Sequence, residues 1–133
     1  MMTAAADTPP PPLHELEAEV MAGVWDYDHE DVTVREIMDV LNRHAESPRA
    51  YTTYMTIMRR LDDKGLLTRR REGKTDFYHA VHSRDEYVDL RARAGVDELV
   101  EQYGEVALAH FARQMGELDP ERRRQLQRLA RKR

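Results

Sequence analysis

The residues best equipped for chemistry lie between Ser47 and Lys74, and their types suit recognition rather than bond-making. In SPRAYTTYMTIMRRLDDKG, Tyr54, Ile57, Met58 and Leu61 recur at i, i+3, i+4 and i+7. That spacing predicts a helix with these four turned inward and Thr52, Thr53, Met55, Thr56, Arg59 and Arg60 on the opposite face. Threonine offers a hydroxyl to phosphates or base edges and a methyl to thymine. Arginine forks onto N7 and O6 of guanine, and a good bidentate pair gives about 1–3 kcal/mol of discrimination. Arg49 stands at the start of the same block. Beyond Gly65, TRRREGKTDFYHA sets Arg69, Arg70, Arg71 and Lys74 around a glycine turn, a basic tip suited to phosphate or minor-groove contact. Strand alternation lets only part of this set face one side, and Arg71 and Lys74, nearest the tip, are the favoured contacts. The DNA-binding set read from the sequence is therefore Arg49, Thr52, Thr53, Thr56, Arg59, Arg60, Arg71 and Lys74. On the helix alone, a merely solvated charged face is as good an account. The hairpin beside it favours nucleic acid.

Other chemistries find little support. Cysteine is absent, which removes disulfides, thiolate metal sites and cysteine nucleophiles together. Six histidines are scattered, and the one close pair, His79 with His82, has no evident third ligand, so no metal site and no cofactor are expected. The acid pairs Glu15 with Glu19 and Asp62 with Asp63 read as solvated charge. No GxSxG, P-loop or GxGxxG occurs, so no catalytic residue is assigned and an enzyme is not expected. Trp25, the single tryptophan, reads as a core anchor.

The charge distribution sharpens the nucleic-acid reading. A net charge of −4 over 133 residues argues on its face against a polyanion partner, but the total hides segregation. Residues 1–42 carry ten acids against Arg35, for −9, whereas residues 43–74 carry nine bases against four acids, for +5. Residues 75–100 come to −3 and residues 101–133 to +3. A local basic segment is what an electrostatic footprint requires. No apolar run approaches the roughly 20 residues needed to span a bilayer, and the start of the chain lacks a signal-peptide pattern. A cytoplasmic protein with no membrane partner is expected.

These residues need a scaffold, and the pattern predicts one that is mainly α with a small β hairpin. The proline-rich residues 1–12 read as a disordered arm with no part in the fold. Residues 13–82 read as a winged-helix domain. Leu13, Leu16, Val20, Met21 and Val24 give a first helix ending near Trp25. Thr33, with Glu36 three residues on, caps a second helix carrying Ile37, Val40 and Leu41. A third helix runs from about Arg49 to Lys64 and stops at Gly65, followed by strands at Thr68–Glu72 and Thr75–Val81. Residues 83–133 read as helical, with Asp119 before Pro120 as a helix start. Their apolar residues have few partners within the chain, so Tyr103, Leu108, Phe111, Met115, Leu126 and Leu129 are assigned to a homodimer seam. The basic terminal run RRRQLQRLARKR reads as a solvated face beside it.

LHELEAEVMAGVW, VTVREIMDVLN, AYTTYMTIMRRLDDKGLL and REGKTDFYHA, in this order, resemble the penicillinase-repressor family (BlaI/MecI/CopY) from Leu13 to about Ala80. The likeness rests on an E-x-E-x-M-x-x-x-W first helix, the T-V-R-E start of the second, a T-x-x-T-x-x-x-R-L-x-x-K-G recognition helix and an aromatic third strand. AHFARQMGELDPE is similar to the family's fifth helix and connector. The resemblance implies a winged helix-turn-helix followed by a helical dimerisation segment. It also implies a homodimeric transcriptional repressor that binds an inverted-repeat operator in double-stranded DNA, with recognition residues at Thr52, Thr53, Thr56 and Arg60. The copper-responsive branch carries a C-terminal cysteine cluster that this chain lacks, which argues against copper sensing. The β-lactam-responsive branch adds an inactivating protease as a candidate partner. The corresponding stretch here holds His110 and Phe111 with different flanks. The competing reading is a winged-helix protein-interaction module that turns the same basic face to an acidic partner.

Overall fold

The computed structural model describes residues 8–132, which form two compact units divided between Ala92 and Arg93. In the first, three helices, α1 (Glu15–Asp26), α2 (Val34–Asn42) and α3 (Tyr51–Asp63), precede a hairpin of β1 (Leu67–Glu72) and β2 (Thr75–Ala80). Each forms for a local reason. The Thr33 hydroxyl accepts from the Glu36 amide at 3.2 Å while the Glu36 carboxylate accepts from the Thr33 amide at 2.8 Å, the reciprocal cap expected of this spacing. At the end of α3, Gly65 takes φ +81°, and the Gly65 and Leu66 amides donate to the Asp62 and Leu61 carbonyls. This left-handed stop satisfies carbonyls that the helix would otherwise leave open. The hairpin register pairs Glu72 with Thr75 around Gly73 and Lys74, with Gly73 at φ +64°.

The buried faces meet in one core. Val20, Met21 and Val24 of α1 join Ile37 of α2, Tyr54, Ile57, Met58 and Leu61 of α3, and Leu66, Leu67 and Tyr78 of the hairpin. Side chains of this size each contribute about 1.5–3 kcal/mol on burial. The sequence pattern missed a third, one-residue strand: Val32 and Tyr78 exchange amide-to-carbonyl bonds at 2.9 and 2.7 Å, anchoring the hairpin base to the lead-in of α2. Trp25 is the structural anchor expected. Its Nε1 donates to the His82 carbonyl at 2.9 Å, and its ring lies 5.5 Å from that of Tyr87.

Tyr87 belongs to the next helix, α4 (Arg84–Tyr103), yet is buried in this core. The division between units therefore falls inside α4 rather than at residues 82/83. The expected disordered arm also needs correction in its described part. Pro11 and Pro10 give their carbonyls to the Tyr87 hydroxyl at 2.9 Å and the Arg91 guanidinium at 3.1 Å, so this segment is fastened to the body. Residues 1–7 of the expected arm lie outside the described residues.

The second unit holds the rest of α4, α5 (Glu105–Glu117) and α6 (Pro120–Lys132). The sequence alone reads residues 83–133 as helical and marks a new helix start only at Asp119. A break in fact separates α4 from α5 at Gly104, whose φ of +60° suits glycine. Asp119 caps α6 as expected, accepting from the Arg122 amide at 2.8 Å. The Arg123 guanidinium donates to the Met115, Gly116 and Leu118 carbonyls at the end of α5.

Candidate nucleic-acid interface

Helix α3 presents its outer face because its inner stripe is consumed by the core. Tyr54, Ile57, Met58 and Leu61 are buried, leaving Thr52, Thr56, Arg59 and Arg60 exposed and Thr53 half-buried. Thr56 Oγ1 donates to the Thr52 carbonyl at 2.9 Å. Its hydroxyl proton is thereby committed to the helix, and what it offers outward is acceptor capacity and a methyl. Arg60 is exposed and its guanidinium has no hydrogen-bond or ion-pair partner among the described residues, so its full fork of donors is free. Arg49 sits in the turn before α3. Its amide donates to Asn42 Oδ1 at 3.0 Å, its carbonyl accepts from Asn42 Nδ2 at 2.8 Å, and the Tyr54 hydroxyl donates to the same Oδ1 at 2.7 Å. Asn42 thus fixes the turn that delivers Arg49, whose guanidinium lies only 3.8 Å from Glu19 in solvent.

The wing divides its cations by face. Arg69 and Arg71 share the inner face with Asp76 and Tyr78, while Arg70 points outward, 4.9 Å from the centroid of its cross-strand neighbour Phe77. Arg70 is also held by Asp31 at 3.0 Å and by Glu72. These acids, Glu72 first, raise its already high pKa. On the inner face Asp76 is a hub. Its carboxylate lies 3.3 Å from Arg71, 3.6 Å from Arg69 and 3.7 Å from Arg59 of α3. Asp62 adds a contact of 3.5 Å to Arg69. Lys74, at the tip, is exposed and has no hydrogen-bond or ion-pair partner among the described residues.

Wing and helix together wall a groove of about 410 Å³ whose cations are Arg35, Arg59, Arg71 and Lys74. Thr33 and Tyr51 also line it, and Arg35 stacks 5.5 Å from the Tyr51 ring centroid. The groove thus gathers Arg59, Arg71 and Lys74 of the expected set. Thr52, Thr53, Thr56, Arg60 and Arg49 do not line it.

Sequence reasoning missed Arg35, the lone base of an acidic segment, and Asp76, placed in a different charge segment from the arginines it faces. The signal for Asp76 was available, because a tight turn at Gly73 and Lys74 sets Arg71 opposite Asp76. One base of the middle segment is not available to a ligand. Lys64 Nζ contacts both oxygens of Glu17 at 2.8 and 3.0 Å, and Glu17 is 1% exposed. Burial pushes the Glu17 carboxyl up, but the Lys64 bond, the His14 amide and both neighbouring charges bring it below its ordinary value. Among the described residues no group of histidine and acidic side chains could hold a metal ion.

A three-helix core, a hairpin wing and a cationic face running over both define a winged-helix nucleic-acid-binding protein. A family model described as penicillinase repressor matches residues 13–132. Two proteins named transcriptional regulator BlaI, from the CDC 1551/Oshkosh and ATCC 25618/H37Rv strains of Mycobacterium tuberculosis, are each 38% identical over 108 residues, spanning 78% of this chain and 74% of theirs. The solution structure of the DNA binding domain of the repressor BlaI is similar at 27% identity and a TM-score of 0.49, covering 59% of this chain and 90% of that one. The chain belongs to the penicillinase repressor family.

Proposed function

We propose that the chain is a homodimeric transcriptional repressor that binds an inverted-repeat operator, with each α3 in a major groove and each wing on adjacent phosphates. The observation that carries this reading is the division of labour on the basic face. Arg60, with Thr52, Thr53 and Thr56, is free to meet base edges, while Arg59, Arg71 and Lys74 border a groove that suits phosphate. Family membership supports the regulatory role, since the BlaI relatives are named transcriptional regulators.

The dimer reading is supported by apolar side chains that the second unit leaves in solvent: Tyr103 is 55% exposed, Val106 62% and Leu108 51%. Leu129 is also exposed, and Phe111, Met115 and Leu126 are half-buried. Leu108, Phe111 and Met115 recur at steps of three and four on α5, an apolar stripe for which a second copy of the chain is the economical cover. Half-sites one helical turn or a multiple apart follow from such a dimer. Release by an inactivating protease acting on the stretch that includes His110 and Phe111 would require α5 to open locally, because both residues lie within the helix. Among the described residues no helix is long and apolar enough to cross a membrane, and the cytoplasm, where the DNA lies, is the proposed location.

Selecting bound fragments from the source genome tests the reading. An enriched inverted repeat upstream of a gene is expected, with binding that falls steeply with salt. Failure to enrich any inverted repeat would sink it, and salt-insensitive capture of an acidic protein would replace it with the interaction-module reading.

A further inference from the structure

Asp76 is placed where an anion has most effect on the basic face. Arg59 from α3 and Arg69 and Arg71 from β1 all converge on it, at 3.7, 3.6 and 3.3 Å. Its side chain is 13% exposed, whereas those of the three arginines are 38–59% exposed. The carboxylate is therefore sheltered beneath a cationic canopy that itself reaches solvent. Among the contacts described, its partners are these guanidiniums and no backbone amide. The buried Tyr78 hydroxyl, two residues on along the same face, has no hydrogen-bond partner among the described residues. Asp76 takes its place in the hairpin ladder through its backbone, opposite Arg71, while its carboxylate makes no capping bond and its described side-chain contacts are with the cations.

A phosphate and a carboxylate satisfy a guanidinium by the same geometry and charge. Only the Arg71 contact is within hydrogen-bonding distance, so the other two guanidiniums can exchange partners at small cost. We propose that Asp76 is a specificity-determining residue. As a resident anion it engages Arg59, Arg69 and Arg71 and lowers the attraction of the face for any phosphate backbone. Discrimination is thereby left to Arg60 and the threonines, which it does not contact. This rests on the DNA-binding reading above. Without the carboxylate, the same guanidiniums bind phosphates, which carry no sequence information.

The test compares wild type with Asp76→Asn by fluorescence anisotropy on a labelled duplex of random sequence, across a salt series. The variant is expected to bind more tightly, with a log K against log salt slope steeper by about 0.9 for each additional phosphate it neutralises. Across a fourfold change in salt, one such phosphate makes the tightening about 3.5-fold larger at the lower concentration. Affinity for the duplex enriched from the genome rises less, so the specificity ratio falls. Asp76→Glu, which keeps the charge, retains the wild-type slope. If Asp76→Asn does not fold, as a thermal melt reports, Asp76→Thr carries the same comparison with a better strand former. An unchanged slope, a weaker complex, or a Glu variant that behaves like Asn overturns the inference. Absence of salt-dependent DNA binding by the wild type would instead refute the DNA-binding reading itself.

Discussion

Replacing Glu17 with Gln removes the charge that Lys64 is built around while leaving nearly the same volume. In the native protein the carboxylate receives Lys64 Nζ at 2.8 and 3.0 Å and the His14 amide at 3.0 Å. It thereby joins the start of α1 to the end of α3. A hydrogen bond to a charged group contributes about 1.5–3 kcal/mol. Breaking a fully buried pair costs about 3–5 kcal/mol. Lys64 retains 28% of its side-chain surface, so water recovers part of its solvation, and the glutamine still accepts one bond. The loss therefore comes to about 2 kcal/mol, and with unfolding entropy scaling with chain length this lowers Tm by about 6–10 °C. A double-mutant cycle with Lys64→Met, read by thermal and urea unfolding at fixed protein concentration, should return a coupling energy of about 1–2 kcal/mol. The pH dependence has a definite sign. The folded carboxyl titrates below its ordinary value of 4.5. Its contribution is therefore present above that value and lost as pH falls through the depressed folded one. The gap between wild type and Glu17→Gln should accordingly close in acid. Since Lys64 is spent on Glu17, Lys64→Met should leave DNA affinity unchanged at temperatures where both proteins are folded. Single-mutant losses that simply add, or a wild-type advantage that persists at low pH, would refute this account.

Arg60→Ala should cost operator affinity about 1–3 kcal/mol without moving Tm, and equal losses on operator and random duplexes would remove it from base readout. Lys74→Ala should weaken both duplexes and flatten the salt slope by about one, which the same titrations measure. Thr33→Ala removes the hydroxyl half of the α2 cap and should cost about 1 kcal/mol in urea unfolding. The neighbouring Glu36 carboxyl, which burial raises but its bonds to Thr33 and Tyr27 lower on balance, should move up in an NMR titration. Leu108→Asp should shift the protein towards monomer in sedimentation velocity while unit one keeps its melt, and an unchanged sedimentation coefficient would take Leu108 out of the seam.

Helix α3 was legible because a single periodicity fixes both its buried and its open face. The stop at Gly65, the Thr33 cap and the Asp119 start were legible because each is a local rule spanning a few residues. What escaped the sequence is non-local or too short to show a period. Val32 is a strand of one residue, which no alternation can reveal, and its pairing with Tyr78 depends on the fold around it. Tyr87 belongs to the winged core although its helix runs on into the second unit. Gly104 interrupts an apolar pattern that reads continuously across it. Asp76 escaped for a different reason. Charge was summed along the chain, whereas the hairpin folds this acid back onto the arginines that precede it.

The Val32–Tyr78 bonds also make the wing a lever with a fixed base. Its root is tied by that exchange and by Leu66 and Leu67 in the core, while its tip holds only exposed side chains around Gly73. Backbone protection against deuterium exchange should therefore grade along the hairpin, slowest at the Val32 and Tyr78 amides and fastest at Gly73 and Lys74. In the proposed complex, such a gradient would let the tip follow variations in groove width by bending, with no rotation of the root and no disturbance to the neighbouring start of α2.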